Sequence, residues 1–464
     1  MPRDSFGSAP AALGSAGRGD LLAVEYLDRV IRDRIDAAEL TAVADAAPEL
    51  IDYHGRLMPN PVFLSAADSD LLVRQLDDIH DLLLSLPQRC AGSRAGYARM
   101  LGLSEFQVAV VERAAAGRPP LLARADLYRT GTGFALLELN TGSALGGFDC
   151  GEINRTLASH PSLAGFVAEK QLSWVDTAER LLGIALAQHA ERTGSVAGTI
   201  ALVDFPDTFP RYQRTIEVMA QLCRRSGIDA FACHLGELAE GPYGLSYRGR
   251  KVDIVYRFFM LEYVTSAAAV ELLEPLRRAA ESGTVTLLSP VEADLYGYKE
   301  GLALLSELAH TADFDSRERD SVAALVPWTR RLHATVEGPA GEAVDAISFA
   351  TAQQSELMLK PVSLHGGSGI VAGWTVGAEE WLRNVTDALD GPYVLQQRVR
   401  PVADPVLTQQ TIGGLYCTWG VFITPSPTGE AVYGGCFVRG SHDPEVDIIS
   451  YDNGALIGCC LVTP

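Results

Sequence analysis

Lysine is nearly absent from this chain. Of its 38 basic residues only four are lysines, Lys170, Lys251, Lys299 and Lys360. Arginine serves wherever a generic positive charge is enough, so a lysine that remains marks a place with a use for a compact, mobile ammonium. Positive charge as a whole is scarce too, with a formal net charge of −20. A chain without a basic face is not expected to bind nucleic acid or an anionic membrane. A cationic substrate would suit such a surface, though simple solubility explains it as well. No apolar run approaches the ~20 residues of a membrane span. The opening MPRDSFGSAPAALGSAGRGD lacks the basic and apolar regions of a secretory leader. The eight cysteines contain no C-x-x-C pair. That excludes a disulfide framework or zinc site of the usual spacing, and reduced thiols in a cytoplasmic protein are expected. Also missing are G-x-G-x-x-G, the P-loop G-x-x-x-x-G-K-[ST], H-E-x-x-H, G-x-S-x-G and any internal repeat.

What is present fits a soluble chain of two or three domains. Of its 464 residues 47% are apolar and 21% charged. Residues 1–20 are small and polar and read as a loose tail. The stretch 21–120 has helical periodicity, clearest in DLLVRQLDDIHDLLLSL. A hairpin and further helices fill 121–195. From 196 to 290 the grammar alternates. TIALVDFP reads as a strand, RYQRTIEVMAQLCRRSG as an amphipathic helix, IDAFACH as a strand, and GLSYRGRKVDIVYRFF as a hairpin with another strand. That order predicts a parallel, Rossmann-like sheet. From 291 to 464 the pattern is α+β, with a helix at KEGLALLSELAH, then the strand LMLKPV and the glycine loop SLHGGSGIVAG. The strands YVLQQRV, WGVFIT and AVYGGCFV follow.

The hairpin ARADLYRTGTGFALLELNTGS, residues 123–143, is the most informative segment. A three-residue turn at Gly131-Thr132-Gly133 would place Asp126 opposite Glu138 and Arg124 opposite Asn140. Ala125, Leu127, Ala135, Leu137 and Leu139 would then form the core face. Two carboxylates directly opposed on paired strands repel. A divalent cation converts that repulsion into coordination, and an oxygen-only set of Asp, Glu and Asn suits Mg²⁺. Arg124 stands where it could contact a phosphoryl group. A hairpin with one solvated polar face is the other reading of the same residues.

Two more features bear on phosphate. Lys360 ends an apolar strand just before HGGSG, and a glycine-rich loop can bring backbone N–H groups close to phosphates. Lys299, in LYGYKEG, precedes a helix. Either lysine could instead be solvent-exposed. His365 has no assigned role. Gln396 and Gln397 read as strand-edge polar residues and Arg439, in CFVRGS, by default as an exposed arginine.

Together these pieces resemble the ATP-grasp superfamily, and most of all the circularly permuted proteins related to the synthetase domain of glutathionylspermidine synthase. That family carries R-x-D and, twelve positions on, E-x-N. The matching residues here are Arg124, Asp126, Glu138 and Asn140. The likeness runs over residues 120–464, and the hairpin preceding both lysines gives the permuted order. It implies Mg²⁺ on Asp126, Glu138 and Asn140, with Arg124 at the transferred phosphoryl group. It also implies ATP on Lys299, Lys360 and the loop residues Gly366, Gly367, Ser368 and Gly369, with Gln396 and Gln397 near the adenine. Arg439 is kept with Arg124 as a candidate catalytic group. The expected activity is an ATP-dependent ligase joining a small carboxylate to an amine through an acyl phosphate. A phosphotransferase or a non-catalytic nucleotide-binding protein on the same fold are the alternatives. The resemblance further implies a dimer. After Asn140 the chain reads TGSALGG and departs from the polyamine enzyme, so neither glutathione nor spermidine is assigned.

Overall fold

The computed structural model describes residues 16–114, 119–363 and 367–464. It opens with helix α1 (Ala16–Arg32), so residues 16–20 of the expected tail are helical, and residues 1–15 lie outside the described residues. Tertiary contact fixes this helix. A Cβ on Gly19 would lie 2.3 Å from the Phe63 carbonyl oxygen, and Asp20 pairs with Arg129 at 2.9 Å. Strand β1 (Val62–Ser65) follows, inside a stretch expected to be helical. All four of its residues are buried, so no alternation betrays it. Ser65 then caps helix α2 (Ala66–Ala91) by accepting the Asp68 N–H.

The hairpin strands are β2 (Ala123–Thr130) and β3 (Gly133–Thr141), and helix α3 (Thr177–Thr193) comes after them. Next are β4 (Ile200–Asp204), helix α4 (Phe209–Arg225), β5 (Ala230–His234), β6 (Ile254–Arg257) and β7 (Thr286–Leu287). These four strands pair in parallel in the order β7-β6-β4-β5, as the β–α alternation predicts. Helix α5 (Lys299–Leu308) leads to β8 (Thr329–Arg331), β9 (Leu357–Pro361), β10 (Val371–Ala372) and β11 (Tyr393–Gln397). These make an antiparallel sheet in the order β8-β11-β9-β10. The chain ends in β12 (Ala403–Thr408), β13 (Thr411–Pro425), β14 (Ala431–Ser441) and β15 (Leu456–Thr463).

The largest sheet collects strands from distant parts of the chain, in the order β1-β15-β14-β13-β2-β3, with β12 also paired to β13. One of its faces is apolar. Leu127, Leu136, Leu139, Trp419 and Val438 pack there with Leu72, Leu76, Ile79 and Leu83 of α2. Each such side chain, fully buried, contributes roughly 1.5–3 kcal/mol. On the opposite face Phe422 and Phe437 pack with Tyr26 and Leu27 of α1. The remainder of that face is open toward the β8–β11 sheet. No disulfide links the eight cysteines. No helix among the described residues is long and apolar enough to cross a membrane.

Candidate active site

The hairpin reaches the expected pairing by an unexpected route. Thr130 pairs with Gly133, so the turn holds only Gly131 and Thr132. Leu127 pairs with Leu136, and the register then slips by one residue, leaving Leu137 as the extra residue of a β-bulge. Beyond it Asp126 faces Glu138 and Arg124 faces Asn140, as the sequence predicts. The bulge changes the faces. Leu136, not Ala135 or Leu137, is buried beside Leu127 and Leu139, while Leu137 lines the cleft.

Behind the hairpin, the segment after Asn140 is pinned. Thr141 Oγ1 donates to the Ala293 carbonyl at 2.8 Å, and Ser143 Oγ to the Arg257 carbonyl at 2.7 Å. Gly142 has φ +92°, and a Cβ there would lie 2.7 Å from Arg257 Nη2 and 2.8 Å from Asp294 Oδ1. Only glycine fits that approach to the ion pair that buried Arg257 makes with Asp294.

The polar face of the hairpin floors a cleft of about 1000 Å³, solvent at its mouth included. Arg124, Asp126, Glu138, Asn140, Lys360, Gln396, Gln397 and Arg439 all line it. Arg124 Nε and Nη2 donate to Asp126 Oδ1 and Oδ2 at 2.9 and 3.1 Å, and Nη1 donates to the Gly146 carbonyl at 2.7 Å. Arg439 is not exposed. It reaches over the intervening strand β13 to place Nη2 2.8 Å from Asp126 Oδ1. That contact is an ion pair without hydrogen-bond geometry, and among the described residues Arg439 Nε has no acceptor either. Burial raises the Asp126 pKa, but Arg124 and then Arg439 more than offset it, so the carboxyl sits below its ordinary range.

The two lysines come in from other elements. Lys299 begins α5 and is buried, its Nζ 3.5 Å from Glu138 Oε1 and its N–H donating to the Val362 carbonyl at 3.2 Å. Lys360 is buried on β9 and donates to Gln396 Oε1, while Gln396 Nε2 donates to Thr329 Oγ1 at 3.2 Å. Gln396 is thus an interior residue of the sheet, not a strand-edge one. Its neighbour Gln397 lies on the other face and donates its N–H to the Trp328 carbonyl at 2.8 Å. Burial lowers the Lys360 pKa to about 8, with Glu138 pulling upward and Lys299 downward.

Part of the glycine loop reaches the cleft. Gly367 lines the cleft with φ +85°, and a Cβ there would meet Ile448 Cγ2 at 2.9 Å. Ser368 and Gly369 are exposed and do not line it. Gly366 and His365 lie outside the described residues. The sequence reading missed Arg398. It is buried, stacks 4.0 Å from the Trp374 ring centroid, and pairs with Glu445 at 2.8 Å. Its sequence signal was its place two residues after Gln396 in QQR, where an extended chain puts both on one side.

Asp126, Glu138 and Asn140 bring side-chain oxygens to one spot, and among the described residues no thiol or imidazole lines the cleft. That donor chemistry fits a hard divalent cation. Four cationic side chains, Arg124, Arg439, Lys299 and Lys360, face two carboxylates, which leaves the cluster with a surplus of positive charge suited to a polyanion.

No family model matches the chain, and no curated protein matches it. Solved structures do. One is a glutathione synthetase-like effector from Globodera pallida in its apo form, with a TM-score of 0.52 and 14% identity, over 91% of this chain and 97% of that one. Another is a candidate γ-glutamylcysteine synthetase from Methylobacillus flagellatus KT, with a TM-score of 0.39 and 12% identity, over 85% and 87% of the two chains. The likeness to the first is one of fold, and it extends over nearly the whole of both chains.

Proposed function

We propose that this protein is an ATP-dependent carboxylate–amine ligase of the ATP-grasp type, with its hairpin and lysines in the permuted order. The observation that carries the reading is the convergence at one cleft of Arg124, Arg439 and Lys360 with Asp126, Glu138 and Asn140, with Lys299 behind them 3.5 Å from Glu138. The excess of two positive charges there complements a magnesium-bound nucleoside triphosphate. The fold shared with a glutathione synthetase-like protein supports the same class, by analogy only.

In this reading the substrate carboxylate attacks the γ-phosphorus, ADP leaves, and an acyl phosphate forms. The amine then attacks the acyl carbon and phosphate departs, giving the amide. Lys299 and Lys360 neutralise the phosphate chain, and Gln396 holds the Lys360 ammonium in place. Gly367 brings backbone close to the nucleotide, and Gln396 and Gln397 lie toward the base. Arg124 and Arg439 face the charge that develops on the moving phosphoryl group. Asp126, Glu138 and Asn140 would hold a Mg²⁺, which would supply further charge neutralisation for the triphosphate. Positioning and electrostatics suffice, so no protein nucleophile is invoked. The acid and amine are small molecules such as amino acids, short peptides or polyamines. A cytoplasmic homodimer belongs to the same proposal.

The test is a screen of amino acids, short peptides and polyamines for ADP release with ATP and Mg²⁺, repeated with hydroxylamine. A ligase yields a hydroxamate of the acid. A stable phosphate ester in its place would make the protein a phosphotransferase, and nucleotide binding without ADP release from any pair would leave it a non-catalytic binder.

A further inference from the structure

A hydrogen-bond chain runs from Lys360 into the sheet behind the cleft. An ammonium has donors only, so the Gln396 amide must turn its oxygen toward Lys360 Nζ. That choice sends the amide N–H groups the other way, where Nε2 donates to Thr329 Oγ1 at 3.2 Å. The Thr329 hydroxyl has one hydrogen, and it goes to the Pro327 carbonyl at 2.9 Å, so the hydroxyl oxygen is left to accept. Each bond in the chain can therefore run in one direction only. All three side chains are buried, and Thr329, at 1% exposure, does not line the cleft.

The strands build this chain in. Thr329 on β8 lies directly opposite Gln396 on β11, and Gln396 lies directly opposite Met358 on β9. Opposed residues share a face, and Lys360, two positions along β9 from Met358, shares it as well. The Thr329 N–H donates to Ser306 Oγ at 3.2 Å, on the helix α5 that Lys299 begins. Thr329 thus connects to both lysine-bearing elements from outside the cleft. Without its hydroxyl oxygen, Gln396 Nε2 would lose its acceptor in the interior, which is costly. Turning the amide over would set its N–H groups against the Lys360 ammonium. Either outcome ends the hold of Gln396 on Lys360.

Resting on the nucleotide-binding part of the ligase reading, we infer that Thr329 is a positioning residue for Lys360. Its hydroxyl fixes the sense of the Gln396 amide, and the amide holds the ammonium at the cleft, where the phosphate chain would lie.

The experiment has two arms, and the first needs no nucleotide. The chain has only four lysines, so protein carrying ¹³C-labelled lysine gives four ε-methylene signals by NMR. The Lys360 signal is the one missing from Lys360→Arg. A held ammonium keeps its two ε protons at different shifts. They should stay split in Thr329→Ser and merge in Thr329→Val. The second arm is AMP-PNP affinity in the presence of Mg²⁺, measured by calorimetry. Thr329→Val is expected to weaken it about tenfold, and Thr329→Ser to leave it within twofold. In a Lys360→Met background Thr329→Val should cost nothing further, a non-additivity that a general loss of packing would not give. Thr329→Ala, which removes the same acceptor without setting a methyl against the amide, is measured in parallel in both arms. Split ε protons in Thr329→Val and Thr329→Ala overturn the inference. So does a loss of affinity that is the same with Lys360 and with Lys360→Met. Wild-type protein that binds no AMP-PNP refutes the ligase reading, and the first arm still decides whether Thr329 holds Lys360.

Discussion

Lys360 gives the sharpest test of the proposed nucleotide site. Its ammonium is buried, with Gln396 as hydrogen-bond partner, and burial is the main cause that brings its pKa from 10.5 to about 8. The shift corresponds to about 3 kcal/mol of preference for the neutral amine. A triphosphate placed beside it restores the preference for the charged form. Free protein therefore loses the proton as pH rises through about 8, while the complex keeps it to much higher pH. Nucleotide affinity should fall by roughly 30-fold between pH 7 and 9.5, approaching one proton taken up per nucleotide bound. Stability of the free protein should move the other way. The folded pKa lies below the unfolded one, so the penalty for a charged, buried amine is full below pH 8 and fades as pH climbs toward 10.5. The assay is calorimetric titration with Mg²⁺ and ATPγS, whose terminal group is already ionised across this range. Lys360→Arg stays charged throughout and should flatten the profile. Wild-type affinity that stays constant within twofold from pH 7 to 9.5, or a slope that survives in Lys360→Arg, would refute the placement of Lys360 against phosphate.

Three further outcomes are expected. Asn140→Ala should abolish ADP release in the substrate screen while moving the thermal midpoint by no more than about 3 °C, since its one side-chain hydrogen bond among the described residues is a long one. Gly420→Ala places a Cβ 2.8 Å from the Phe437 carbonyl oxygen and 3.2 Å from Arg124 Cδ. It should cost about 1–3 kcal/mol in urea unfolding and weaken nucleotide binding as well. Arg129→Met should cost about 3–5 kcal/mol, because it leaves the buried Asp404 carboxylate without its 2.8 Å partner and frees α1 from Asp20's anchor. An unfolding curve matching wild type would show that pair to be dispensable.

How much of the site could be read in the chain follows from the range of each constraint. R-x-D and E-x-N are joined by a short hairpin, so their pairing is local and periodicity exposes it. The bulge at Leu137 is local as well but left no mark, because an apolar residue there fits either face. Arg439 was invisible as a partner of Asp126, being 313 positions away and two strands over. Gln396 read as a strand-edge residue for the same reason. Only the β8–β11–β9 pairing makes its strand central and gives its amide two buried partners.

The amino-acid order alone determined the parallel β–α layer, the long amphipathic helix α2, and the facing of Asp126 by Glu138, since each rests on contacts within a few tens of residues. Tertiary structure decided the rest. It drew β1 from an apparently helical stretch into the main sheet beside β15. It buried Lys299 against Glu138 and turned Arg439 inward to Asp126. The physical reason is common to all three. Burial and charge pairing between remote segments depend on which surfaces meet, and hydrophobic periodicity along one segment carries no record of its neighbour.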